Sequence, residues 1–375
     1  MSVRWIKIII LILFLGIIQN PGFGQVLSSA ELKLMTVLNS GSGIPKNLLQ
    51  SKSIVVISLN DGENKVRGDW KKLAEEAHFY IRKLGIDAVL YFYIDDLIAG
   101  FDMQRAISNQ MIDRDIKNIF TLSKDKVNGR DQYIGVLTAF NEQPTFISNN
   151  QNAWKSQTSD LEILFRNLAR SIDNADLTLE NLLIIDSPEY FRGIDIIRGQ
   201  RFESLNTDLR IDRLAVPKFT DLQIPEGTVT ESSEKMINLL ENENEKNLQR
   251  NSQLELLMSK YPYKYEIVAY EYDERKLLSK GFQFVLMRIN SSGGNIREFL
   301  GYDKSNIANE LVSMQITDQG EVVKSIPMNA MVYKYYVKHI NSGDIYLGER
   351  WDGDDSWQDA LNNHISIIID RLANQ

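Results

Sequence analysis

Two stretches of the sequence repeat the same order of features, and this repetition constrains the fold more than any other property of the chain. Each stretch has a strand-like run, two acidic residues, a Gly-Phe pair, an apolar pair, a tryptophan and an amphipathic helical pattern. The matched positions are residues 88–93 and 267–272, Asp95-Asp96 and Asp273-Glu274, Gly100-Phe101 and Gly281-Phe282, Phe146-Ile147 and Tyr346-Leu347, and Trp154 and Trp357. A duplicated unit predicts an α/β (mixed α+β) fold with two related small domains, each a mixed sheet packed by helices.

The length fits this division, because 375 residues are enough for about two or three domains of about 150 residues each. We predict that the first copy of the α/β domain spans residues 53–175 and that the second spans residues 213–375. The remaining parts are a signal peptide at 1–24, an N-terminal lead-in at 25–52 and a connector at 176–212.

The amino terminus has the pattern of an export signal. Arg4 and Lys7 precede an unbroken apolar run at residues 8–18, and small residues follow at 22 and 24. The run is shorter than the roughly 20 residues that a membrane-spanning helix needs, so we predict a signal peptide cleaved near Gly24, with an uncleaved anchor as the alternative. The sequence contains no cysteine, which excludes a lipoprotein acylation site, disulfides and thiolate metal sites. We expect a periplasmic or secreted protein without a transmembrane segment after cleavage.

Charge and motifs exclude several functions. The net charge of −8 provides no basic surface for nucleic acid. The sequence has neither a phosphate-binding P-loop nor a dinucleotide fingerprint, and we predict no cofactor. The expected partner is a protein or another component of the cell envelope.

Short-range patterns predict a βαβ unit in the first copy. The strands are residues 54–57 and 88–93, and a helix at 69–84 joins them, so the strands should be parallel with a right-handed crossover. Residues 103–122 fit either a helix or a pair of strands.

Later patterns are less regular. A strand at 133–140 should return through residues 145–147 as an antiparallel hairpin. Residues 182–185 and 194–197 are candidates for additional strands in the connector, and Pro217 argues against a central position for the strand that it ends.

The end of the chain predicts a strand, a turn, a second strand, a polar loop and a helix. The residues are 332–340, Ser342-Gly343-Asp344, 345–347 and 361–372, and an insertion of about 20 residues before them contains a hairpin at 313–326. This pattern resembles the α/β modules at the amino terminus of TolB and in CsgG-like proteins. The first copy resembles them more loosely through residues 133–147 and 161–172. The resemblance implies a role in envelope assembly or protein contact and no catalytic residues.

Acidic pairs follow equivalent strands in both copies, as Asp95-Asp96 and Asp273-Glu274. Active sites of α/β proteins gather at the carboxyl ends of parallel strands, so these four carboxylates are candidates for a hydrolase or cation site. The alternative is a polar strand exit that contacts solvent.

The loop at residues 352–355 is the candidate metal site. Asp352, Asp354 and Asp355 surround a glycine and could supply some of the oxygen ligands that calcium needs. A solvated loop before a helix is the alternative.

Aromatic residues and histidines have structural alternatives as well. Tyr333 and Tyr335, with Trp351, are candidates for a binding surface, although tyrosine also favours strands. The three histidines, His78, His339 and His364, have no metal-binding spacing, and we expect His78 and His364 at the edge of the core. The leading hypothesis is an exported, soluble, non-enzymatic binding or assembly protein of the bacterial cell envelope, and the alternative is a periplasmic hydrolase.

Overall fold

The structure is a computed structural model that describes residues 38–40, 43–60, 69–127, 129–148, 151–224, 231–302, 310–317 and 320–373. The predicted signal peptide and part of the lead-in lie outside the described residues. The elements of the first half are β1 (Leu38–Ser40), β2 (Lys52–Asn60), α1 (Trp70–Lys83), β3 (Asp87–Tyr93), α2 (Ile94–Leu97), α3 (Phe101–Asp113), β4 (Ile116–Val127), β5 (Arg130–Ala139), β6 (Gln151–Thr158) and α4 (Leu161–Asn174).

The second half follows the same scheme with additional elements. They are β7 (Arg201–Phe202), a 3₁₀ turn (Thr207–Arg210), β8 (Arg213–Pro217), α5 (Glu231–Met258), β9 (Tyr265–Val268), α6 (Arg275–Ser279), β10 (Phe282–Ser292), α7 (Gly293–Phe299), β11 (Glu310–Thr317), β12 (Gly320–Pro327), β13 (Met331–His339), β14 (Ile345–Tyr346) and α8 (Trp357–Ala373). The mixed α/β fold is therefore confirmed.

Each half of the described chain forms a six-stranded mixed sheet, and the two sheets share one topology. The strand orders are β1-β6-β5-β4-β2-β3 and β7-β14-β13-β10-β8-β9. Neighbours at equivalent positions also agree in direction: β2 and β8 have parallel strands on both sides, and β5 and β13 have antiparallel strands on both sides. The common topology is an observation, whereas descent from one duplicated unit stays a prediction.

Some residue matches that suggested the repeat do not correspond in space. Phe101 begins a helix, α3, whereas Phe282 begins a strand, β10. Trp154 lies within β6, whereas Trp357 is the first residue of α8. In the common topology β10 is equivalent to β4, so the two Gly-Phe pairs occupy different elements.

The predicted βαβ unit is present. β2 and β3 are parallel neighbours joined by α1. The Asp69 side chain accepts a hydrogen bond from the Lys72 backbone N–H (3.4 Å) at the start of α1, and Gly85 adopts φ 76° just after its end. The ambiguous segment at 103–122 contains most of α3, a turn at residues 114–115 and the start of β4.

Three local predictions were wrong. The return strand after β5 is β6, and residues 145–147 lie in the intervening loop. Phe146 in this loop is buried and has φ 64°, and Glu142 has φ 56°. Residues 182–185 and 194–197 are not strands. β8 is central in spite of Pro217, because Pro217 is its last residue and the Lys218 N–H continues the ladder to the Val268 carbonyl (2.9 Å).

The two sheets face each other across a shared apolar core. α1 and α4 cover the outer face of the first sheet, and α5 and α8 cover the outer face of the second. The inner faces, with residues from α2, α3, α6 and α7, form a single cluster that includes Phe92, Met103, Leu277 and Val285. Within the described residues, no helix combines the length and the apolar character that crossing a membrane requires.

Candidate functional site

Asp95 and Asp96 lie at the exit of β3, in the first turn of α2, as the sequence predicted. Asp96 is buried and points into the second half, where it accepts hydrogen bonds from Ser291 Oγ (3.2 Å) and Asn295 Nδ2 (2.9 Å). Asp95 is half-buried. The acid at this strand exit therefore contacts the opposite half of the molecule.

Glu274 follows β9 and lies in a larger buried cluster. Strand β13 turns Tyr336 and Lys338 towards the inner face, and Lys338 is 1% exposed. The Lys338 ammonium donates to Asp102 Oδ1 (2.6 Å) and to Glu274 Oε1 (3.0 Å). Tyr336 OH donates to Asp102 Oδ2 (2.9 Å). One lysine of the second half thus binds one carboxylate from each half.

Arg105 of α3 completes this cluster from the first half. Its guanidinium lies 3.1 Å from Glu274 Oε1 and 3.4 Å from Asp102 Oδ1. It also donates to Tyr270 OH (2.8 Å) and to the Tyr272 carbonyl (2.9 Å). Two carboxylates therefore face two cations, and the cluster is formally neutral. We call Asp102, Arg105, Glu274, Tyr336 and Lys338 the interhalf cluster.

The charges of the interhalf cluster lower the pKa of Glu274 and raise that of Arg105, which favours the charged form of each. Burial alone would raise the pKa of Glu274, but Lys338 and Arg105 outweigh it and hold that pKa below its usual value. Burial, and then the negative charge of Asp102, raises the pKa of the Tyr336 hydroxyl well above its usual value. Tyr336 therefore acts as a neutral hydrogen-bond donor.

Asp273, the neighbour of Glu274, has the opposite environment. Its carboxylate is at the surface and pairs with Arg275 Nε (2.8 Å) and Nη2 (3.1 Å) of α6. The predicted pair Asp273-Glu274 thus divides into one solvent-exposed and one buried acid, and the four strand-exit carboxylates do not gather in one open cleft.

Asp352 belongs to a second buried charged group. It lies 2.5 Å from the Lys334 ammonium through Oδ1 and 2.7 Å from His364 Nδ1 through Oδ2, and all three side chains are at most 1% exposed. Because a carboxylate only accepts, His364 Nδ1 carries the proton, and its Nε2 has no hydrogen-bond partner among the described residues. Burial lowers the pKa of His364 and that of Lys334, against the opposing charge of Asp352. The imidazole is therefore neutral at pH 7.

Asp354 and Asp355 bind one lysine of the β11–β12 hairpin. The Lys324 ammonium donates to Asp354 Oδ1 (2.8 Å) and to Asp355 Oδ1 (2.5 Å). Ser313 Oγ donates to Asp354 Oδ2 (2.7 Å), and Asn363 Nδ2 donates to Ser313 Oγ (3.2 Å). These contacts tie the hairpin to the loop before α8.

The loop at 352–355 does not present a common point to a cation. Asp352 faces Lys334, while Asp354 and Asp355 meet at the ammonium of Lys324. Across the described part of the chain, no group of three or more His, Asp or Glu side chains is arranged to hold a metal ion. Calcium binding at this loop stays a prediction from the sequence, and it would require the lysine to leave.

Of the predicted aromatic residues, Tyr333 and Tyr335 lie in β13 of the second sheet, and Trp351 lies in the loop before α8. Tyr335 is buried in the outer core, and the backbone of Tyr333 pairs with Asp354 (2.7 and 3.0 Å). Trp351 packs against Tyr302 with ring centroids 5.6 Å apart, and its Nε1 donates to the Gly353 carbonyl (3.0 Å). Tyr335 and Trp351 therefore pack within the second half, and the backbone of Tyr333 joins β13 to the loop before α8.

The β11–β12 hairpin, which we call the arm, has no equivalent in the first half. Only residues 128–129 separate β4 from β5, whereas residues 293–330 separate β10 from β13. The arm pairs in one register from Glu310↔Pro327 to Thr317↔Gly320, which confirms the predicted hairpin. The side chains of Leu311 and Ile326, at the base of the arm, are buried.

Beyond its base the arm exposes three valines. Val312 and Val323 are 53% and 64% exposed, and Val322 on the opposite side of the ribbon is exposed as well. Neither strand pairs with any other strand of the described chain, so both edges of the arm carry free ladder positions. An apolar two-stranded ribbon is marginally stable alone, and the ion pairs to Lys324 fix its base.

Sequence reasoning missed both buried lysines and the partners of the interhalf cluster. A signal was available in β13, where Val332, Lys334, Tyr336, Lys338 and Ile340 occupy alternate positions of one face. A lysine between apolar residues on a buried strand face needs a carboxylate partner. The identity of that partner is a long-range fact, since Asp102 precedes Lys338 by 236 positions.

Comparison of the chain with protein-family models, with curated proteins and with solved structures found no match. The resemblance to TolB and CsgG-like modules therefore stays a prediction. The local order of β13, turn, β14, loop and α8 agrees with the pattern on which that resemblance was based.

Proposed function

We propose that the chain is an exported, non-enzymatic binding or assembly protein of the cell envelope and that the arm is its contact surface for another protein. The observation that carries this proposal is the arm itself. It is an addition to a topology that the first half completes without it, and its valines face solvent while its base is held by ion pairs. Exposed apolar surface on a fixed support is typical of protein interaction sites.

The open strand edges favour a particular way of binding. A partner segment in extended conformation can add to β11 or β12 through main-chain hydrogen bonds, and Val312 and Val323 then contact its side chains. Because Lys324 and Ser313 anchor the base through Asp354, the arm loses little conformational freedom on binding.

The acidic residues support a non-enzymatic role. The hydrolase hypothesis needs strand-exit carboxylates that substrate can reach. Asp96 and Glu274 are buried and already hydrogen-bonded, and Asp273 pairs with Arg275 at the surface. We therefore assign Asp96 and Glu274 to holding the halves together.

The proposal is tested by crosslinking and affinity purification of the tagged full-length chain from its native host. The variant is Val312→Lys/Val323→Lys, which makes the exposed face of the arm cationic. The matched control is Leu256→Lys on α5, where the replaced leucine is 70% exposed. Partners that are lost with the arm variant and kept with the control support the proposal, provided that both variants keep the wild-type melting temperature.

Two results contradict it. One is an unchanged set of crosslinked partners in the arm variant. The other is turnover of an ester, amide or glycoside substrate that Asp95→Ala or Asp273→Ala abolishes. Fractionation of the host tests export separately, since cytoplasmic accumulation of the full-length chain is incompatible with a cleaved signal peptide.

A further inference from the structure

A short segment without regular secondary structure lies along α5 and is bound there by asparagine side chains. We call this segment, residues 219–222, the strap. The Phe219 N–H donates to Asn251 Oδ1 (2.8 Å), and Asn251 Nδ2 donates back to the Phe219 carbonyl (2.9 Å). Asn244 makes the same pair of hydrogen bonds with the N–H and the carbonyl of Leu222 (2.6 and 2.8 Å). Each asparagine thus binds both backbone groups of one strap residue, as a residue of a neighbouring β-strand does.

A third asparagine lies between these two on the same face of the helix. Asn247 Nδ2 donates to the Thr220 carbonyl (3.1 Å), and Arg250 orients that amide by donating to Asn247 Oδ1 (2.7 Å). From residue 244 to residue 251 the helix rises about 10.5 Å. The three steps of extended chain from residue 219 to residue 222 span about 10 Å. Because these lengths agree, α5 follows the backbone of the strap, and this part of the recognition does not depend on the strap's side chains.

Two side chains of the strap add selectivity to this backbone contact. The Phe219 ring packs under the Arg288 guanidinium, whose carbon lies 3.8 Å from the ring centre, and edge-on to Trp357 with ring centroids 4.9 Å apart. Leu222 is buried against Leu240 of α5. The two strap residues between Phe219 and Leu222 are exposed. The site therefore fits an extended segment in which an aromatic residue is followed three positions later by leucine.

The strap is separate from the contacts that hold β8 and α5 in place. The Lys218 N–H donates to the Val268 carbonyl (2.9 Å) and ends the ladder of β8. Within the described part of the chain, no backbone–backbone hydrogen bond joins the strap to a strand. The helix α5 is fixed to the second sheet through Leu254 and Met258, which are buried in the outer core. Release of the strap therefore keeps the sheet and the helix and uncovers the asparagines.

We infer that α5 carries a binding site for an extended peptide of another protein, with an aromatic residue and a leucine three positions apart, and that the strap occupies this site in the same chain. The strap itself shows which ligand fits. Because a tethered segment competes at a high effective concentration, an external peptide binds only when the strap leaves. The site shares no residue with the arm, so the inference does not rest on the proposed function.

The first test measures, by fluorescence anisotropy, the binding of a labelled peptide with the sequence of residues 216–224 to the full chain. The variant Phe219→Pro/Leu222→Pro removes both N–H donors and both anchoring side chains of the strap. It is expected to bind the peptide at least about tenfold more tightly than the wild type does. Adding Asn244→Ala/Asn251→Ala is expected to abolish this gain. Equal affinities of wild type and proline variant, or binding that survives the loss of both asparagines, overturn the inference.

Changes in the peptide test the selectivity in the same assay. Thr220→Ala/Asp221→Ala in the peptide should keep its affinity, because both side chains are exposed in the strap. Phe219→Ala/Leu222→Ala in the peptide should abolish binding, because both pockets are then empty. A peptide that binds equally well without its phenylalanine and leucine contradicts the proposed ligand.

Hydrogen exchange of the wild type is a measurement that needs no variant to fold. A strap that opens alone exchanges the amides of Phe219 and Leu222 faster than the amides of β8. Strap amides that exchange only at the rate of β8 overturn the inference. A wild-type dimer that Asn244→Ala/Asn251→Ala dissociates would show exchange of straps between two copies. That result would overturn the assignment of the site to a peptide of another protein.

Discussion

Neutralising Glu274 should destabilise the protein far more than neutralising Asp273, its neighbour in the sequence. Glu274→Gln preserves the shape of the side chain but leaves Lys338 and Arg105 facing Asp102 as the only carboxylate of the interhalf cluster. Removing one partner of a buried ion pair costs about 3–5 kcal/mol, because the remaining charge stays out of water. Asp273→Asn breaks an exposed pair, which contributes little to stability because solvent screens the two charges.

Urea unfolding at pH 7 measures the difference. With an m value of about 3 kcal/mol/M, the midpoint of Glu274→Gln should fall by about 1–1.7 M, whereas that of Asp273→Asn should barely change. Equal shifts for the two variants refute the assignment of Glu274 to a buried stabilising cluster. Lys338→Met combined with Glu274→Gln should cost less than the sum of the single changes, since the pair is then removed together.

The pH dependence of the same variant provides an internal check. The pKa of Glu274 is lowered in the folded protein, so its contribution is complete above the ordinary value of 4.5 and is lost as the pH falls through the folded pKa. The difference in stability between wild type and Glu274→Gln should therefore be constant near neutrality and shrink in acid below 4.5.

Two further predictions concern the loop before α8. The pKa of buried His364 is lowered from 6.5, so the unfolded chain binds a proton at a higher pH than the folded protein does. Stability should therefore fall as the pH drops below 6.5. The variant His364→Asn, whose amide can still donate to Asp352, should reduce that fall by up to about 1.4 kcal/mol per pH unit in melting experiments. Asp354→Asn weakens the ion pair with Lys324 and should accelerate proteolysis within the arm. Asp355→Asn changes a more exposed carboxylate and should have little effect on the cleavage rate. Equal cleavage rates for the two variants would count against the anchoring role of Asp354.

Local sequence patterns correctly predicted the elements whose conformation is determined by residues close to them in the sequence. The helix α1 was predictable because its apolar residues recur at helical spacing and Asp69 and Gly85 mark its ends. The hairpin after β5 was misplaced because residues 145–147 look like a strand, although Phe146 is buried through a tight turn and the true partner begins at Gln151. Strand-like composition does not distinguish a buried loop from a paired strand.

The sequence predicted where the acidic residues lie, at the ends of strands, but their contacts depend on residues of the opposite half of the molecule. The exit of β3 does carry a buried acid, but Asp96 accepts a hydrogen bond from Ser291, 195 positions later. Asp102 of α3 accepts one from Tyr336, 234 positions later. The spacing of residues in the sequence does not show which face of one sheet packs against which face of the other. The acids therefore suggested an open catalytic cleft, whereas the packing of two sheets closes that space.

The repeated acidic pairs have a common physical explanation in the shared topology. Strands β3 and β9 occupy the same edge position in their sheets, and the chain after each enters the space between the sheets. Asp96 of the first half binds Asn295 of the second, and Glu274 of the second binds Arg105 of the first. Each half thus supplies a buried carboxylate that the other half satisfies, and an unsatisfied one would cost several kcal/mol. This reciprocity favours one relative arrangement of the two sheets.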